Sequence, residues 1–182
     1  MAVLTEKQIK YGFDYYHKDE KQLKSVVEVS EYDGEDKLMI NCTQLDEDYS
    51  AKDKKRILQE WCSFLVEHPD NFTELMFCTR MPQELFDAVC AQRRLKKLHI
   101  KWGVYPDISK LEKLQELKYL HIGSGRSVSS LEPISRLVNL VALSIENFQQ
   151  IDDYAPLANL KHLESLALEG DFASPKILKV RS

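Results

Sequence analysis

The sequence predicts an α/β solenoid: a curved parallel sheet on a concave face, 3₁₀ turns or short helical returns on the convex face, and an N-terminal cap made of a β-hairpin and a helix. Three observations predict it. A short-strand pattern of apolar residues recurs at a fixed period, a ladder of apolar residues spaced by three precedes the later copies, and the first 70 residues follow a different rhythm.

The strand pattern is clearest in "ANLKHLESLALEG", Ala158 to Gly170, where Leu160, Leu163, Leu166 and Leu168 stand three, three and then two residues apart. Helical neighbours recur at three and four and strand neighbours at two, so a helical turn runs here into a short strand. The same switch occurs at Leu140, Leu143 and Ile145, at Leu117, Leu120 and Ile122, and at Leu95, Leu98 and Ile100, with an aromatic version at Phe72, Leu75 and Phe77. Starting points at 72, 95, 117, 140 and 163 are separated by 23, 22, 23 and 23 residues, a register that chance placement of leucine does not keep. The second ladder is Ile108, Leu111, Leu114, then Leu131, Ile134, Leu137, then Tyr154, Leu157, Leu160. Spacing by three suits a 3₁₀-like turn laid against the strand layer.

The segments "LEPISRLVNLVALSI" and "IDDYAPLANLKHLESLALEG" resemble leucine-rich repeats, in particular the short bacterial internalin-type repeats whose pattern includes Pro-Leu before the next strand; Pro133-Ile134 and Pro156-Leu157 match it. The resemblance covers residues 71–171, read as five repeats. Family members often place Asn three residues after the last strand leucine, and here that position holds Arg80, Gly103, Gly125, Phe148 and Asp171. The resemblance implies a solenoid without that polar ladder.

Residues 1–70 read as the cap for one raw end of the stack. Lys24 to Ser30 and Asp36 to Cys42 are β-rich runs bracketing "EYDGE", whose Asp33-Gly34 pair suits a hairpin turn. Ser50-x-x-Asp53 resembles a helix start, Ile57, Leu58, Trp61, Cys62 and Leu65 follow at helical spacing, and His68-Pro69-Asp70 ends the helix. Residues 172–182 form a tail, or a closing edge strand at Pro175 to Val180 blunted by Lys176, Lys179 and Arg181.

With 182 residues and 43% hydrophobic content, the chain can bury one continuous core, and no stretch approaches the ~20 apolar residues of a membrane helix. The opening "MAVLTEKQIKYGFDYYHKDE" lacks the order of a secretory signal, and Cys42, Cys62, Cys78 and Cys90 show no Cys-x-x-Cys. The expectation is a cytoplasmic protein with reduced, buried thiols. Residues 1–70 carry a net charge of −6 and residues 71–182 one of +2, and the only basic concentration is Arg93, Arg94, Lys96, Lys97 and Lys101. With a sequence pI near 5.8, nucleic acid is not an expected partner.

Alternation along each strand turns the repeat into a predicted surface. The first outward column is Glu74, Lys97, Tyr119, Ala142 and Ser165; the second is Met76, His99, His121, Ser144 and Ala167; the third is Cys78, Lys101, Gly123, Glu146 and Glu169. Lys97 and Lys101 then lie a few strands from Glu146 and Glu169, with Met76, Tyr119 and two histidines between. A rigid, mixed-charge platform of this kind fits recognition of a protein. His99 and His121 are adjacent, but a zinc site needs three or four protein ligands. "GSGR", Gly123 to Arg126, has the composition of a phosphate loop, yet sits where a solenoid corner belongs and is followed by no Gly-Lys-Ser/Thr. There is no nucleophile elbow and no His-Glu-x-x-His.

The expected function is a non-catalytic, cofactor-free protein-binding module, a scaffold such as an adaptor, inhibitor or toxin-immunity protein, using the concave residues Glu74, Met76, Lys97, His99, Lys101, Tyr119, His121, Ser144, Glu146, Ser165 and Glu169. It is expected as a monomer, or weakly self-associating through the Leu166 to Leu168 end. The alternative is a metal- or small-ligand-responsive module built on His99 and His121.

Overall fold

The computed structural model describes residues 2–11 and 23–170. In chain order the elements are α1 (Glu6–Tyr11), β1 (Lys24–Val26), β2 (Lys37–Ile40), α2 (Ala51–Glu67), β3 (Glu74–Phe77), β4 (Met81–Pro82), α3 (Gln83–Val89), β5 (Lys97–Ile100), β6 (Gly103–Val104), β7 (Tyr119–Gly123), α4 (Glu132–Ser135), β8 (Ala142–Glu146) and β9 (Ser165–Glu169). Among the described residues, seven strands form one sheet in the order β1-β2-β3-β5-β7-β8-β9, and β4 pairs with β6 in a second, two-stranded sheet.

Every pairing is parallel. Leu75, Leu98, Leu120, Leu143 and Leu166 occupy one row across five strands, so the 22- and 23-residue period of the sequence is the rise of a stack. That is a leucine-rich-repeat solenoid, as the sequence predicts. Parallel neighbours need a return across one face, and the sequence supplies one each time. Ser109–Lys113 and Ala155–Asn159 are 3₁₀ turns, while α4 is a single α-helical turn with Pro133 at its start, where a missing N–H costs nothing. Ile108, Leu111, Leu114, Leu131, Ile134, Leu137, Leu157 and Leu160 are all buried, which places the second ladder against the back of the sheet.

The return between β3 and β5 is a longer helix, α3, which sequence spacing did not reveal. Its Leu85, Phe86, Ala88 and Val89 are buried, and Phe86 stacks on Tyr105 with centroids 5.0 Å apart.

The predicted hairpin is corrected. β1 and β2 pair in parallel, with Lys24 opposite Leu38 and Val26 opposite Ile40. The link between them behaves as another return: it holds a 3₁₀ turn at Val29–Glu31, and Val29 and Tyr32 pack on the core. Tyr32 lies 5.2 Å from the Phe64 ring and 5.4 Å from Phe72, so the link crosses the helix side of the sheet instead of doubling back in its plane. Gly34, at φ +98°, turns this wider loop.

The predicted helix is present as α2. Ser50 caps it, its hydroxyl accepting the Asp53 N–H at 3.2 Å, and Ile57, Trp61 and Leu65 form the buried stripe. Trp61 Nε1 donates to the Val27 carbonyl at 2.8 Å, which fixes the helix over the return behind β1. One apolar cluster runs from Val26 to Leu160 through this region, and β2 is hydrogen-bonded to β3 across residue 70. The predicted edge strand at Pro175 to Val180, and Asp171, lie outside the described residues.

Candidate functional site

The three outward columns are present in register. Glu74 pairs with Lys97 and Lys97 with Tyr119, followed by Ala142 and Ser165; Met76, His99, His121, Ser144 and Ala167 follow one another likewise; Gly123 is opposite Glu146 and Glu146 opposite Glu169. Cys78 and Lys101 continue the third column just beyond the ends of β3 and β5. Because β1 and β2 join the sheet, the columns also extend the other way: Lys37 stands beside Glu74, and Met39 beside Met76, with Ser25 beyond. Reading a hairpin hid these positions, although their period-2 alternation was there to be used.

The charges are arranged less simply than alternation suggests. Lys97 Nζ lies 3.1 Å from Glu74 Oε1, with both side chains mostly covered, and Lys37 approaches the same carboxylate at 4.0 Å. One end of the first column is therefore internally neutralised. Lys101 is exposed at the rim, and Glu169 is exposed at the far end of the same column.

The centre is occupied by imidazoles. His99 and His121 stack with centroids 4.3 Å apart and planes 12° from parallel. His121 Nδ1 is 3.0 Å from Ser144 Oγ, and its Nε2 is 3.9 Å from Glu146 Oε2. Imidazole lone pairs lie in the ring plane, so rings stacked face to face aim their nitrogens side by side and not at one point. Among the described residues no group of three or more His, Cys, Asp and Glu is placed to hold a metal ion. Met76, Ala142 and Ser144 are buried, so the middle of the face is a shallow floor walled by longer side chains.

The floor at Ala142 is covered by the chain itself. Leu4 is buried against Val141 and Ala142, with Tyr119 packed beside them. The Glu164 carboxylate accepts the Val3 N–H at 2.7 and 2.9 Å and the Leu4 N–H at 2.9 Å. Those bonds, from Leu4 first and Val3 next, hold its carboxyl below the usual glutamate range. The next residues close a capping box: Thr5 N–H donates to Gln8 Oε1 at 2.9 Å and Gln8 N–H to Thr5 Oγ1 at 3.2 Å, starting α1. Thr5-x-x-Gln8 was legible as a helix start; the seat of Leu4 was not.

The corner after β7 is closely packed. A Cβ on Gly125 would meet Phe148 Cε1 at 2.1 Å, so the phenyl ring occupies the space above the glycine one repeat below it. Ser124 and Asn147 are left-handed, at φ +56° and +57°, and their N–H groups reach Glu146 O and Glu169 O on the next strand at 2.8 and 2.7 Å. Ser124 also lines a cavity of about 380 Å³, with Arg80, Trp102, Val104, Tyr105 and Arg126 among others. It brings Trp102 together with Ser124 and Arg126 of the "GSGR" segment. Burial pushes the Cys42 and Cys90 thiols up to about 12 and Cys62 to about 11. All four cysteines are free, with Cys62 and Cys78 half-buried.

No protein family matches the chain, and no curated protein does. Solved structures are similar to it, among them two internalins. One is an internalin from Listeria monocytogenes, at 20% identity and a TM-score of 0.42, covering 56% of this chain and 30% of that one. The other is internalin C2 from Listeria monocytogenes, at 22% identity and a TM-score of 0.43, covering 60% of this chain and 59% of that one. The chain thus spans less than two thirds of either.

Proposed function

We propose that the protein is a non-catalytic binding module that holds a protein partner on the concave face of its sheet. The observation that supports this most is the unbroken register of the outward columns, which makes Met76, His99, His121, Ser144 and Glu146 neighbours on one rigid platform. A platform of fixed side chains loses little entropy on association, and mixed polar and apolar groups suit a protein surface. Lys101 at one end and Glu169 at the other give the partner a direction. The partner class extends to an adaptor, inhibitor or toxin-immunity role in the cytoplasm. High thiol pKa values keep the cysteines poor nucleophiles, and among the described residues no helix is long and apolar enough to cross a membrane.

The test is capture of the native partner from lysate by the tagged protein, followed by His99→Ala with Lys101→Glu. Capture should be lost while the circular dichroism spectrum is unchanged; retained capture would sink the proposal.

A further inference from the structure

Where strands β7 and β8 begin, the concave sheet holds an occupied seat. Its floor is Ala142, its walls are Val141 and Tyr119, and its occupant is Leu4. Glu164 stands over it and takes two consecutive main-chain N–H groups. Such groups are presented by any extended peptide, so the carboxylate reads backbone, and only the apolar floor reads a side chain. The occupant commits little to the contact. Ala2, Val3, Thr5, Glu6 and Lys7 stay exposed, and the cluster around Leu4 is separate from the main core. The capping box at Thr5 and Gln8 turns the chain into α1 directly afterwards, so the inserted stretch is confined to residues 2–4.

We infer that this seat binds an extended peptide segment of a protein partner bearing a leucine-sized side chain, and that residues 2–4 are its built-in competitor. The inference rests on reading the concave face as the partner surface. Binding there requires the strap to leave, so the apparent affinity falls by the fraction of molecules whose seat is filled. A tethered competitor acts at an effective concentration in the millimolar range, about what is needed to exclude weak peptides and admit strong ones.

The experiment is a fluorescence-anisotropy titration of the full chain with an acetylated, dye-labelled peptide spanning residues 2–8. Leu4→Ser removes the anchor of the strap and leaves the seat intact, so it should bind the peptide about tenfold more tightly than the wild type does. Glu164→Gln added to Leu4→Ser should abolish that gain, because the amide replaces one acceptor oxygen with a donor. Equal binding by the wild type and Leu4→Ser, absence of binding by both, or indifference to Glu164→Gln overturns the inference. Hydrogen exchange on the wild type gives a readout free of substitutions: excess peptide should speed exchange at the Val3 and Leu4 amides, and unchanged rates overturn it too. A Leu4-dependent dimer in sedimentation would make a second copy the occupant, and would also overturn it. Loss of the native partner on His99→Ala with Lys101→Glu, in a protein whose seat takes no peptide, would leave the concave-face reading standing and this inference alone refuted.

Discussion

From β3 to β9 the sheet advances by 22 or 23 residues per strand, whereas from β1 to β3 it advances by 14 and then 37, as Lys24, Leu38 and Leu75 come side by side. Both regions are the same parallel sheet on the same core. Periodicity in a sequence therefore detects regular stacking, not stacking itself. In the regular region the returns after β5 are short turns of four or five residues, α3 fills the one before it, and the period and its leucines repeat throughout. In the irregular region one return is the short Val29–Glu31 turn and the next is the 17-residue helix α2, so no spacing recurs although the physical task is identical.

The largest effect that tests this comparison is expected at Trp61. It is fully buried, meets Phe64 edge-on at 5.8 Å, and donates to Val27 O. Trp61→Ala should cost about 3–5 kcal/mol, and Leu120→Ala, in the regular region, about 3 kcal/mol. If the two regions share one core, both variants should lower the melting temperature of a single transition, followed by calorimetry. Two transitions, with Trp61→Ala moving only one, would divide the molecule at α2.

Next comes the corner packing of Gly125 against Phe148. Gly125→Ala drives a methyl group into the Phe148 ring and should destabilise by about 1–3 kcal/mol. Phe148→Leu in the same chain should recover part of the loss, since the smaller side chain opens the space above Gly125. Chemical denaturation of the single and double variants measures both. Additive losses would show that the glycine is not answering the ring.

The cap of α2 sharpens the same contrast more gently. Ser50→Ala removes the acceptor for Asp53 N–H and should cost about 1 kcal/mol. A cost of that size in the melting of the whole sheet would mean that the helical return of the irregular region is as integral as the leucine returns.

What could be read from the residues follows the same division. Leu75, Leu98, Leu120, Leu143 and Leu166 fixed the strands, and alternation around them fixed the concave columns, because burial and backbone geometry alone decide both. The hairpin failed because two β runs around Asp33-Gly34 satisfy either strand direction; what decides is that Val29 and Tyr32 in the link pack, half-buried, against the core behind the sheet. α3 was missed because the ladder of three begins only at Ile108, and the helical spacing of Leu85, Phe86 and Val89 ahead of it recurs in no other copy. The pairing of Lys97 with Glu74 follows from their adjacent places in the first column, since opposite charges one strand apart meet. The covering of Ala142 by Leu4 left no trace in periodicity, because a single leucine outside the repeat has no partner in sequence to mark it.

The smallest expected effect lies at the seam between the two regions. Arg93, leading into β5, forks onto the Asp70 carboxylate with its Nε at 2.9 Å, while the Arg93 N–H reaches Pro69 O at 2.7 Å. The hydrogen bonds from Arg93, and then its charge, hold the Asp70 carboxyl below the usual aspartate range. A carboxyl whose folded value is depressed contributes stability that is fully present above its unfolded value and is lost as pH falls through the folded one. The wild type should therefore lose melting temperature on acidification below the ordinary aspartate range faster than Asp70→Asn does, the two curves converging at the acid end. Because the pair is exposed, added salt should shrink the difference near neutral pH. If the two proteins keep a constant gap from neutral to acid pH, the ion pair does not join the seam, and the union of the regions rests on the β2–β3 hydrogen bonds and the buried contacts of α2.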